Sequence, residues 1–364
     1  MPRKTRAVID LCALLHNYDA MSSLAPDSQQ VVVIKADAYG NGAVKVAQTL
    51  ASQVSMFAVA FLDEVYELRQ AGITQEILVL QGPYDKSECL LTDELNVVWM
   101  LHNHSQVSMV HHAIQEAHII KCNHWLKFDT GMHRLGLMPK EFNEYQRDFP
   151  LLFNERTVIA THLSAADEPA KDSCSVQLAR FSTMLASTSY KLSIANSAAN
   201  IHLDKARKHW NRMGISLFGS SPFEGNEIKP DLKPVMRLLS QVIAIREIEV
   251  GESVGYGDTW VAKRATSIAT VAIGYADGYP RHAPIGTPAL FNGQRAGLVG
   301  RVSMDMLTFD VTDIKDITLG MEVELWGKNL AINEIASHVG TIGYELMTRI
   351  SKRVPRVYIG ECRE

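Results

Sequence analysis

Eight short β-prone runs alternate with helix-like stretches through the first two-thirds of this chain, each pair spanning about one strand–helix unit. The candidate strands are residues 30–35, 56–60, 76–81, 96–101, 122–128, 155–162, 191–195 and 210–217. Between them lie amphipathic segments such as residues 42–50, with Val44, Val46, Ala47 and Leu50, and residues 62–71, with Val65 and Leu68. Strands joined by helical crossovers run parallel, which bounds the fold to a closed (β/α)8 barrel of the TIM type or an open doubly wound sheet. Periodicity does not tell a closed sheet from an open one. Eight units favour the barrel.

After Pro234 the helical period fades and β-like segments crowd together at residues 235–248, 266–274, 287–290, 295–299, 306–310 and 322–325, separated by turn signals such as Asn292-Gly293 and Gly320. The expected architecture is therefore α/β followed by β: a barrel over residues 1–234 and a mainly β domain over residues 235–364. A strand-like opening, Arg6–Ile9, could pair with the second domain.

Composition excludes some functions. A net charge of -4, from 36 basic and 40 acidic residues with no basic tract, argues against a nucleic-acid partner. The N-terminus starts basic, but Asp10, His16 and Asn17 interrupt any apolar core of a signal peptide, and no apolar run is long enough for a membrane span. Cys12, Cys89, Cys122, Cys174 and Cys362 are odd in number and lack CxxC spacing. They read as reduced, mostly buried thiols of a cytoplasmic protein, with no metal site expected.

The chemistry begins at Val31-Val32-Val33-Ile34-Lys35, an apolar strand closing on a lysine, followed by Ala36-Asp37-Ala38-Tyr39-Gly40-Asn41-Gly42. Barrel enzymes work at the C-terminal ends of their strands. A lysine there is partly desolvated, so its neutral, nucleophilic amine is easier to reach. The glycines allow a tight turn. Read alone, Lys35 is more often a surface residue capping a buried strand.

Further strings follow in order: Lys127-Phe128-Asp129-Thr130-Gly131-Met132-His133-Arg134-Leu135-Gly136, Thr161-His162-Leu163-Ser164, Asn196-Ser197-Ala198-Ala199, Arg212-Met213-Gly214-Ile215, Gly255-Tyr256-Gly257-Asp258-Thr259, Ile273-Gly274-Tyr275-Ala276-Asp277-Gly278, Gly300-Arg301-Val302-Ser303-Met304-Asp305 and Gly343-Tyr344-Glu345. Singly they have plain structural readings: a salt-bridged arginine, a core histidine, a helix cap at Ser197, a turn tyrosine. Jointly, from Lys35 to Tyr344, they resemble the signature set of the alanine racemase family over essentially the whole chain.

The resemblance implies a pyridoxal-phosphate (PLP) enzyme that interconverts L- and D-alanine, supplying D-alanine for peptidoglycan or serving alanine catabolism. Lys35 would hold the cofactor covalently, with Tyr39, Ser197, Gly214 and Ile215 at its phosphate, His162 against its ring, Arg212 at its pyridine nitrogen and Tyr344 at the entrance. Arg134 would meet the cofactor's phenolic oxygen and the substrate carboxylate, which the Met304 amide also contacts. Lys127 matches a lysine that is carbamylated in some members. Inverting a stereocentre needs proton exchange on both faces of Cα, and the resemblance supplies Tyr256 as partner to Lys35. Many members place a histidine between that tyrosine and the arginine; here the position is Ser193. The resemblance also implies a homodimer whose active sites draw on both chains. The alternatives are a racemase of serine or of broad specificity, a decarboxylase of basic amino acids, and a non-catalytic PLP-binding barrel, against which the extra β domain argues.

Overall fold

The computed structural model describes residues 3–116, 118–119, 123–185, 188–223 and 230–360. Strands β2 (Gln29–Val33), β3 (Met56–Val59), β4 (Glu76–Val79), β5 (Val97–Leu101), β6 (His124–Lys127), β7 (Val158–Ala160), β8 (Lys191–Ser193) and β9 (Trp210–Met213), numbered after an N-terminal β1 (Arg6–Asp10), form a closed parallel barrel with β9 returning to β2. The barrel is thus the arrangement adopted, not the open sheet. Strands with both faces covered, by the filled interior and by helices, must be apolar throughout, which is why β3 and β5 are buried at every position. Trp125 and Trp210 pack in the lower interior with ring centroids 5.9 Å apart.

The strand pairing stops earlier than the sequence suggests. The apolar runs extend past the ladders at the C-terminal ends, where Lys35, Leu80, Gln81, His162, Ile194, Ala195 and Gly214–Leu217 lie beyond the last paired residue. Residues 215–218 form a 3-10 helix rather than the end of β9. Ile194, Ala195 and residues 214–218 are buried and Lys35, Leu80, Gln81 and His162 half-buried without belonging to a ladder, so burial there no longer reports strand. The expected start of the fifth strand, at Cys122, lies outside the described residues.

Past the barrel, β10 (Met236–Ile248), β11 (Thr266–Val271), β12 (Pro288–Phe291), β13 (Gln294–Leu298), β14 (Leu307–Asp310) and β15 (Glu322–Trp326) close through antiparallel pairings in the order β11-β14-β13-β12-β15-β10, with β10 returning to β11. Closure leaves these six strands no open edge. The 13-residue β10 makes this possible: its first part pairs with β1 and β15, and beyond an irregularity near Val242 its second part pairs with β11. The opening segment does join this sheet, β1 lying between β10 and β16 (Arg356–Ile359). β16 and the helices Ile332–Val339 and Gly343–Thr348 were not anticipated, although Ile332, Ile335, Ala336 and Val339 recur at helical spacing.

Cys89 and Cys174 are buried and free, as expected. Cys12 is instead disulfide-bonded, which corrects the expectation of reduced thiols at that position. The fold brings the start of the chain beside its end at Gly360, a proximity that sequence separation hides. Cys122 and Cys362 lie outside the described residues. No helix among the described residues is long and apolar enough to cross a membrane.

Candidate active site

Lys35 stands two residues beyond β2, on the same inward face as Val33, and both line a cavity of about 630 Å³ at the barrel mouth. The chain next makes a left-handed turn in which Ala36, Asp37, Ala38 and Tyr39 have φ of 53°, 54°, 51° and 55°. Each such non-glycine residue costs ~1–2 kcal/mol, so the turn persists only because its surroundings over-determine it. The Ala36 N–H donates to Glu64 Oε1 (2.6 Å), the Ala43 N–H to Asp37 Oδ1 (2.7 Å), Asn41 Nδ2 to the Ala38 carbonyl (2.9 Å) and Arg356 Nε to the Gly40 carbonyl (3.0 Å). The tight turn credited to Gly40 and Gly42 is therefore carried mostly by four ordinary residues held in place.

Around Lys35 the cavity wall is cationic. Lys127 closes β6, Arg212 lies in β9 and Arg134 follows the β6 loop; no Asp or Glu lines the cavity among the described residues. Arg212 is buried without a carboxylate partner, donating to Ser193 Oγ (2.6 Å), the Thr161 carbonyl (2.9 Å), the Ile194 carbonyl (3.0 Å) and His162 Nδ1 (3.1 Å). A guanidinium only donates, so His162 Nδ1 must accept and the ring proton belongs on Nε2. Burial, then the charge of Arg212, holds His162 well below the usual histidine range, which makes it a neutral ring. Burial pushes Arg212 down to about 10, still charged near neutral pH. Burial first and Arg134 second lower the Lys35 ammonium, against a raising influence from Glu64.

Lys127 is 8% exposed and is pushed down to about 8 by burial, then by Arg212 and Arg134, against the pull of Asp129. Its folded pKa lies below the value of about 10.4 for a free lysine. The stability it contributes is thus fully present above that value and is lost as pH falls through about 8. In carbon-dioxide-free buffer, wild type should therefore gain ~1–3 kcal/mol relative to Lys127→Met between pH 7 and pH 10. Urea unfolding across that range checks it; a constant difference would show that Lys127 does not change charge there.

Beyond the ends of β8 and β9, next to β2 in the barrel, Asn196, not Ser197, caps the helix Ser197–His202, its side chain accepting the Ala199 N–H at 3.0 Å. Both residue types cap well, and the chain's entry angle selects the first. Ser197 Oγ instead accepts the Gly214 N–H (2.9 Å) and meets Ser216 Oγ (2.9 Å). Tyr39 converges on the same point: a Cβ on Gly214 would lie 2.7 Å from its hydroxyl. Burial raises the Tyr39 and Tyr344 phenols, so both stay protonated donors, with ring centroids 5.9 Å apart. Gly214→Ala should displace the Tyr39 hydroxyl and weaken binding of an anion there by about 10- to 100-fold. Equilibrium titration with pyridoxal phosphate measures it, and an unchanged affinity would separate Gly214 from the cradle.

Lys35, Tyr39, Arg134, His162, Ser197, Arg212, Gly214, Ile215 and Tyr344 thus share one cavity. Tyr256 and Met304 do not join it. They belong to loops of the β domain, 67% and 53% exposed in the single chain. The sequence reading passed over Val33, Leu80, Gln81, Met100 and Thr161, which also line the cavity. All lie at or just past the ends of barrel strands, where register alone could have nominated them. Glu64 was also missed.

The donor set suits an anionic carbonyl cofactor: a desolvated lysine for the carbonyl, hydroxyls and backbone amides for a phosphate, and cations with no opposing carboxylate. Fold and site together therefore define a barrel enzyme of the PLP-holding class. Residues 9–222 match the family domain described as alanine racemase, N-terminal domain, and residues 235–358 its C-terminal domain. The chain belongs to the alanine racemase family, whose members are PLP-dependent isomerases. The catabolic alanine racemase of Pseudomonas putida is 44% identical over 362 residues, covering 99% of this chain and 100% of that one. The crystal structure of biosynthetic alanine racemase from Pseudomonas aeruginosa superposes with a TM-score of 0.92 at 41% identity, covering 98% of this chain and 100% of that one. That of alanine racemase from Bartonella henselae, with covalently bound pyridoxal phosphate, gives 0.90 at 30% identity with the same coverage.

Proposed function

We propose that this protein interconverts L- and D-alanine with pyridoxal phosphate on Lys35, and that Tyr256 of a second copy supplies the other acid/base. The observation that carries this is the acid-free cavity in which a lysine of lowered basicity faces Arg134 and Arg212 across a hydroxyl-lined cradle.

Bound here, the cofactor would supply an electron sink that acidifies the Cα proton of the substrate. Lys35, freed by substrate, returns or removes that proton on one face. Tyr256 does the same on the other, taking the proton of the L isomer while Lys35 takes that of the D isomer. Arg134 pairs with the substrate carboxylate, and the Met304 amide donates to it. Tyr39, Ser197 and the amides of Gly214 and Ile215 would hold the phosphate, and His162, neutral, would pack on the ring. A carboxylate at the pyridine nitrogen would keep it protonated; the guanidinium of Arg212 in that place would oppose a second positive charge beside it. This tempers electron withdrawal and limits side reactions such as transamination. Tyr344 closes the entrance.

The exposure of Tyr256 supports a two-chain site. One active site then needs two copies, giving a C2 homodimer. We place the protein in the cytoplasm and the division between its domains at Pro234 and Val235. Carbamylation of Lys127 is part of the proposal: its neutral amine adds carbon dioxide and releases a proton, placing a negative charge beside Arg134. The deciding experiment follows the optical rotation of L-alanine, and of a panel of small amino acids, over purified protein with and without added cofactor. A protein that binds the cofactor yet leaves alanine unracemised would overturn the assignment.

A further inference from the structure

We infer that Glu64 is a positioning residue for Lys35, its carboxylate tying the start of the helix Leu62–Gln70 to the left-handed turn that launches the lysine. Locally Glu64 is unremarkable, an acidic residue in the first turn of that helix. One oxygen, Oε2, does the ordinary work there, accepting the N–H groups of Ala60 (2.7 Å) and Phe61 (3.2 Å). The other, Oε1, leaves its own helix and accepts the Ala36 N–H at 2.6 Å, one residue after Lys35. The other side-chain braces act at Ala38, Asp37 and Gly40, so among side chains only Glu64 holds the lysine's end, beside the backbone bond from the Ala38 N–H to the Ile34 carbonyl (2.8 Å).

Charge gives the same residue a second effect. Arg134 is the cation that acts on Lys35; Lys127, at the end of β6, adds a positive charge only while uncarbamylated, His162 is neutral, and Asp37 turns its carboxylate to Ala43. Glu64 is the acidic group that opposes Arg134 at Lys35, keeping its amine basic enough to accept a proton. Three N–H donors converge on two oxygens, so a glutamine cannot serve both ends: its amide oxygen keeps the two donors of the helix start, and its NH2 faces the Ala36 N–H.

The inference rests on the assignment of Lys35 above, and the test keeps the two separable. In the holoenzyme, Glu64→Gln should lower kcat/KM for alanine by about 10- to 100-fold, shift the acid limb of the kcat profile, which reports the substrate-bound enzyme with the Lys35 amine released, to lower pH, and speed the stripping of cofactor by hydroxylamine about tenfold. The melting temperature should stay within a few degrees of wild type. Glu64→Asp keeps the charge but shortens the reach, and should speed stripping while leaving the acid limb in place. Glu88→Gln, which alters a similar bond to the Tyr84 N–H on another helix, is the control and should change none of these. Unchanged stripping and an unchanged pH profile in Glu64→Gln would overturn the inference, as would activity loss that merely tracks a lowered melting temperature. If wild type itself fails to racemise alanine, the assigned reaction falls while the stripping rates still judge Glu64.

Discussion

Replacing Lys35 with alanine should abolish racemisation, lowering kcat/KM by about 10³-fold or more, because on the proposed assignment one change removes both the covalent attachment and one of two proton carriers. Borohydride reduction should then leave no cofactor on the protein, where wild type retains it. Tyr256→Phe should behave differently. It removes a phenol exposed on the β domain, leaves the Lys35 cavity intact, and should keep the cofactor while costing about 10²–10⁴-fold in turnover.

The two directions give a sharper test. Enantiomers have equal free energies in water, so kcat/KM must fall equally for L- and D-alanine in any variant, and that ratio reports nothing about which base does what. Exchange of the Cα proton does report it. In Tyr256→Phe, Lys35 alone still removes and returns the proton of D-alanine, so solvent deuterium should enter D-alanine with its configuration retained. L-Alanine should take up almost none. Equal wash-in from both isomers, or normal turnover, would end the two-base assignment.

A mixture of two inactive proteins should regain activity. If each site joins Lys35 of one copy to Tyr256 of another, a dimer of one Lys35→Ala chain with one Tyr256→Phe chain has one site carrying both lesions and one carrying neither. Random reassortment makes half the dimers mixed, so an equimolar mixture should recover about one quarter of wild-type activity after subunit exchange. A site contained within one chain would recover nothing. The exposure of Tyr256, outside the cavity that holds Lys35, favours recovery.

Much of this site was legible in the sequence because its residues sit at strand ends in short, ordered strings. Lys35, Lys127 and Arg212 lie at or near the ends of β2, β6 and β9, where barrel geometry concentrates chemistry. The errors were local. Ser197 yielded the cap to Asn196 because adjacent residues were equally able, and composition does not encode chain direction. The strands were drawn too long because burial at the mouth looks the same whether a ladder or a cavity wall supplies it. Glu64 was invisible because one oxygen satisfies a local rule and the other crosses to a residue far off in sequence.

Sequence alone determined the alternation that makes a barrel, the change of texture at residue 235, and the kinds of side chain available for the chemistry. These follow from periodicity and residue type, which are properties of neighbours along the chain. Tertiary structure decided the rest. It closed both sheets, forced Ala36–Tyr39 into a left-handed turn their own preferences oppose, buried Arg212 without a counter-charge, and left Tyr256 facing outward. Each depends on contacts between segments distant in sequence, whose combined energy outweighs local preference and which no window along the chain contains.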